Sequence, residues 1–165
     1  HAGRIPGVLG DRGAVVCLGI RHVAEALLVG MEAVQQAVDA AEKGGLQHRV
    51  VIGGKPDLAG SADPMFRGEA DKHNPEDLFL AAIASCHMLW FLHVACRAGW
   101  VVERYVDDAV GILDKTWISR VTLRPSVTFS GKSPSEQEHR ALHEKAHEKC
   151  FIANSVKTEV VVEPC

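Results

Sequence analysis

The residues whose types could do chemistry fall into two groups. The first is a pair of cysteines: Cys86, set in a long apolar stretch beside His87, and Cys150, at the end of a charged segment. A thiolate, not a thiol, is the nucleophile, and it persists at neutral pH only near a cation or hydrogen-bond donors. Neighbouring helical residues point apart, so His87 is poorly placed to serve Cys86. Glu76 would raise a thiol pKa by itself and helps only by holding an arginine; Arg67, just upstream, is the candidate cation. The competing reading makes Cys86 a small core hydrophobe. Spacing alone does not pair it with Cys150.

The second group is His143-Glu144-Lys145-Ala146-His147, an HExxH string. Two histidines at i and i+4 share a helix face and can hold zinc, with the glutamate as a base. Cys150 lies near that face, so His143, His147 and Cys150 form an alternative metal-binding reading. Against it, the HxxGxxH extension is missing and the surroundings (HRALHEKAHEK) read as a solvated polar face. No phosphate-binding glycine loop or GxSxG elbow is present.

The chain has 165 residues and a formal charge of −3, with no electrostatic footprint for nucleic acid. Arg21, His22 and Glu25 interrupt the apolar run near the N-terminus, which makes a poor membrane span. The opening HAGRIPGVLGDRG lacks the layout of a secretory signal. Five cysteines (Cys17, Cys86, Cys96, Cys150 and Cys165) are odd in number and contain no CxxC pair, which points to the cytosol rather than to a secreted disulfide scaffold.

The elements that must position these residues can be read from periodicity. Ile20, Ala24, Leu27, Met31, Val34, Val38 and Ala41 step by four and three, which predicts an N-terminal helix ended by Gly44-Gly45. Residues 1–47 thus read as an unusual, helical N-terminal segment, with a domain over 48–165. Arg49–Ile52 is a strand candidate, and 53–73 reads as a long ordered loop of the kind that carries function. Asn74 caps a second helix, with Pro75 in its first position and Glu76 and Asp77 at the positive end of its dipole. It runs to a stop at Gly99 and is apolar nearly all round, which predicts a buried helix. Two strands follow, about Val101–Leu113 and Ile118–Phe129, joined by a turn at Asp114-Lys115, with Pro125 marking an edge or bulge. Ser133-Pro134-Ser135-Glu136 reads as a capping box opening a third helix to about Cys150, and Val156–Val162 is a last strand. The order gives an α+β domain. A helix this apolar in a chain this short suggests cover from a second copy.

Residues from about 48 to 163 resemble the OsmC/Ohr family of organic hydroperoxide reductases. Asn74-Pro75-Glu76-Asp77-Leu78, followed ten residues after Glu76 by Ala84-Ser85-Cys86-His87, resembles the family's segment bearing a glutamate and the peroxidatic cysteine. Ala146-His147-Glu148-Lys149-Cys150-Phe151-Ile152-Ala153-Asn154-Ser155 resembles the segment with the resolving cysteine, and GSADPMFRG the loop before the long helix in the OsmC-like branch. The resemblance implies curved antiparallel sheets around long central helices in an intertwined homodimer. It implies a Cys86 sulfenic acid, a Cys86–Cys150 disulfide, and an external dithiol reductant, lipoyl-linked in kind, with no bound cofactor. Ile83, Leu89, Trp90 and Phe151 would form apolar walls for an alkyl hydroperoxide. The family's N-terminal strands, which supply the activating arginine, are replaced here by the helical reading, so Arg67 is the first choice for that role and Arg49 the second. A non-catalytic small-ligand-binding module of the same fold is the alternative.

Overall fold

The computed structural model describes residues 46–165 and the backbone of a strand at Ala33–Gln36. Most of the expected N-terminal helix lies outside the described residues. The chain divides into two compact units, with the boundary between Ala82 and Ile83.

In the unit ending at Ala82, β1 (Ala33–Gln36), β2 (His48–Val51) and β3 (Leu58–Gly60) form an antiparallel sheet in that order. Strand β1 pairs Ala33 with Val51 and Gln36 with His48. It falls where the four-three periodicity predicts helix. Local propensity is a weak preference, and a ready partner strand overrides it.

The expected long loop is ordered and shorter than predicted, because β3 interrupts it. Ser61 is fully buried. Its amide donates to the carbonyl of His73, and its hydroxyl accepts from the amide of Glu69. Asp63 caps a 3-10 turn at Pro64–Phe66 through the Met65 amide, and Arg67 closes the turn in the left-handed region, with φ of 68°. Gly68 is required next: a Cβ there would overlap the backbone of Ala62.

Helix α1 (Pro75–Arg97) starts as the sequence predicts, with the side-chain oxygen of Asn74 accepting from the Asp77 amide at 2.7 Å. It ends at Gly99, whose φ of +84° suits only glycine at low cost. By length and composition alone, α1 is long and apolar enough to cross a membrane. Of its most apolar window, 28% is buried in the single chain.

From Ile83 onward the second unit holds β4 (Val102–Asp107), β5 (Val110–Asp114), β6 (Trp117–Leu123), β7 (Pro125–Phe129), α2 (Glu136–Lys149) and β8 (Glu159–Val162). Strand β4 pairs with β7, and a second sheet runs β5-β6-β8. Each of the two strands predicted between 101 and 129 is two. The break at Arg124 moves the chain from one sheet to the other, and Pro125, which has no N–H to donate, opens β7. The expected turn at Lys115 is present, with φ of 56°. Strand β8 runs parallel to β6, so the sheets are not antiparallel throughout.

The N-cap of α2 is Ser135, two residues later than the predicted box. Its hydroxyl accepts from the Glu138 amide, and the Glu138 carboxylate accepts from the Ser135 amide. Two S-x-x-E frames overlap here, and the Ser135 frame is the one that forms.

The core of this unit joins Trp90, Phe91 and Ala95 of α1 to Leu142, Ala146 and Cys150 at α2, with Val102 from β4. Phe91 is fully buried, stacked on His143 with ring centroids 4.2 Å apart.

Candidate active site

Helix α1 carries Cys86 three residues after the buried Ile83 and one before the buried His87, so its side chain sits at the margin of the packed stripe and is half-buried. Helix α2 carries Leu142, Ala146 and Cys150 on one face at four-residue spacing. Cys150 is its C-cap, fully buried. The two elements meet so that Cys86 packs against the cluster that holds Cys150, and the two sulfurs feel each other electrostatically. Both are free.

Burial pushes the Cys150 thiol up from 9.0 to about 11. Backbone N–H groups of Ala153 and Ile152, at the start of the 3-10 turn Ala153–Ser155, pull the other way, and the Cys86 sulfur adds to the rise. Cys150 is therefore a protonated, sheltered thiol in the resting protein, while Cys86 is the more accessible of the two.

Trp90 and Phe151 stand edge to face beside this pair, with centroids 5.4 Å apart. Trp90 is buried, and Phe151 is 62% exposed. The Lys149 ammonium lies 5.8 Å from the Trp90 ring centroid, within cation–π range. Leu89 is exposed. Ile83 is not: it is fully buried and belongs to the packing, which corrects its expected place on an open wall. In the other unit, Glu76 occupies the first turn of α1, and Arg67 follows the 3-10 turn. Arg49 pairs with Asp57 at 3.3 Å.

The HExxH segment is not a solvated face on both sides. His143 is buried, its Nδ1 3.1 Å from Nε2 of His87 and its Nε2 3.2 Å from Nε2 of His139. Burial holds His87 down at about 4 and His143 at about 3, helped by the neighbouring imidazoles. His143, His147 and Cys150 do not form a metal centre: Cys150 is engaged with Cys86, and among the described residues no group of three or more His, Cys, Asp or Glu is arranged around one ion. Sequence reasoning missed this imidazole cluster. Its signal was the recurrence of histidine at 139, 143 and 147, flanking the apolar positions 142 and 146.

The family model for OsmC-like proteins matches residues 68–164. The chain belongs to the OsmC family. The match contains both cysteines. An OsmC-like protein of unknown function from Vibrio cholerae is 37% identical, covering 84% of this chain and 100% of its own, with a TM-score of 0.77. An organic hydroperoxide resistance protein from Legionella pneumophila is 23% identical over 85% of this chain and 97% of its own, with a TM-score of 0.64. The organic hydroperoxide resistance protein OhrB of Bacillus subtilis is 19% identical over 81% of this chain and 95% of its own, with a TM-score of 0.58. No curated protein matches the sequence. The fold is that of OsmC proteins, as the sequence motifs predict.

Proposed function

We propose that this OsmC protein is a cytoplasmic thiol peroxidase that reduces organic hydroperoxides to alcohols. The observation that carries the reading is the contact between the Cys86 and Cys150 thiols, brought together from positions 64 residues apart in sequence. In the first step the Cys86 thiolate attacks one peroxide oxygen. The O–O bond breaks, the leaving alkoxide takes a proton and departs as alcohol, and Cys86 becomes a sulfenic acid. In the second, the Cys150 thiolate attacks the Cys86 sulfur and expels the hydroxyl as water, closing a disulfide. An external dithiol, lipoyl-linked by the family resemblance, restores both thiols by exchange.

Arg67, supported by Glu76, is our choice for the cation that stabilises the Cys86 thiolate. Trp90, Phe151 and Leu89 supply apolar surface suited to an alkyl group. A homodimer follows from the same reading. The apolar surface of α1 that one chain leaves open then finds its cover in a second copy.

Mass spectrometry of the intact protein before and after one equivalent of cumene hydroperoxide tests the proposal. The expected result is a loss of two hydrogens mapped to a Cys86–Cys150 bridge, absent in Cys86→Ser. Unchanged peroxide consumption in Cys86→Ser, or persistence of both free thiols after treatment, would end it.

A further inference from the structure

The imidazole cluster on α2 is not used by the reaction above, and one side of it opens into a cleft. That cleft, about 690 Å³, is lined from α2 by His139, His143 and His147, and from the chain after β8 by Glu163 and Cys165. Three carboxylates (Glu136, Glu144 and Glu163) line it against one guanidinium, Arg140, which is itself paired with Glu136. The local charge favours a cation.

We propose that His139 and His143 form a chelating site for a borderline divalent cation, with Zn²⁺ as the ion that fits. Their Nε2 atoms are 3.2 Å apart. An ion about 2.05 Å from each, the usual zinc–imidazole distance, would see them at an angle of about 100°, near tetrahedral. The i, i+4 spacing on a capped helix fixes that separation without further ordering.

The other nitrogen of His143 is already engaged. Ligation through Nε2 leaves the proton on Nδ1, which donates to Nε2 of His87 at 3.1 Å. A ligating histidine whose second nitrogen is held by a partner is the usual arrangement at metal centres. His139 is half-buried and reachable from the cleft, whereas His143 is 2% exposed. Among the described residues no third one is already arranged with the pair, so the remaining positions fall to water or to a rotation of Glu136 or Glu163 into the cleft.

This site differs from the HExxH reading in both geometry and membership. It shares only His143 with the His143/His147/Cys150 set, and it does not depend on the peroxidase proposal. The test is titration of EDTA-treated full-length protein with zinc chloride, read by calorimetry and by thermal melting. His139→Ala is the informative variant, because His143→Ala empties a buried position and can fail to fold. The expected result is one zinc per chain, a raised melting temperature, and a loss of affinity of at least about tenfold in His139→Ala. Cobalt should give visible ligand-field bands without a thiolate charge-transfer band. Equal titration of wild type and His139→Ala would overturn the proposal. So would binding that disappears only when Cys86, Cys150 and Cys165 are replaced by serine, since the thiols would then be the ligands.

Discussion

Closure of the proposed disulfide should depend steeply on pH, because Cys150 is the attacking sulfur and burial holds its thiol at about 11. A raised thiol pKa means less thiolate at any lower pH. At pH 7.5 an unperturbed thiol at 9.0 is about 3% ionised, and one at 11 only about 0.03%, a hundredfold drop from the Henderson–Hasselbalch relation. Intrinsic nucleophilicity rises with pKa at a Brønsted slope of about 0.4–0.5, which returns about tenfold. The net penalty at neutral pH is about tenfold against an exposed thiol at the same effective concentration. Conversion of Cys86 to a sulfenic acid leaves burial, the largest cause, in place.

The assay is rapid mixing of the reduced Cys165→Ser protein with one equivalent of cumene hydroperoxide. Samples are acid-quenched over a time course, and sulfenic acid and disulfide are quantified by mass. The closure rate should climb about tenfold for each pH step from 7 to 10, without a plateau at 9. A rate that levels off at or below pH 9 would show that Cys150 is not sheltered as the packing indicates, and would refute the reasoning.

Other consequences can be checked directly. Cys150→Ser should still react with one equivalent of peroxide but pass to sulfinic acid with excess, seen as added oxygens on Cys86. Phe91→Ala removes a fully buried ring packed against His143 and Tyr105, and should cost about 3–5 kcal/mol in urea unfolding. Ser135→Ala removes the hydroxyl that accepts from the Glu138 amide, while the residue 135 amide keeps its bond to the Glu138 carboxylate, and should cost about 1 kcal/mol. Gly68→Ala forces a methyl group onto the Ala62 carbonyl; backbone displacement should cost about 1–3 kcal/mol and raise protease sensitivity of the 61–73 loop.

Much of this was legible because it is local. Asn74 and Gly99 bound α1 through chemistry that acts within one turn, and the Lys115 turn follows from its neighbours. The cysteine contact was legible only through the family motifs, since no short-range rule brings residue 86 to residue 150. What escaped were choices made by tertiary pairing. Ala33–Gln36 forms a strand because β2 lies alongside it, and β7 separates from β6 at Arg124 because two different sheets receive them. Ile83 looked like a wall residue because hydrophobicity does not distinguish a lining side chain from a filling one. His143 looked solvated because its neighbours in sequence are charged, although its neighbours in space are Phe91 and two imidazoles.

The unequal shelter of the two sulfurs also bears on how a bridge between them would be reopened. Cys150 lies behind the last turn of α2, while Cys86 reaches the margin of the protein. A reducing thiol arriving from solvent would meet the Cys86 end first and form its mixed intermediate there, expelling Cys150 back into its shelter as the departing sulfur. Recharging would thus proceed through the same doorway by which the oxidant enters, and reductant and peroxide would take turns at a single threshold.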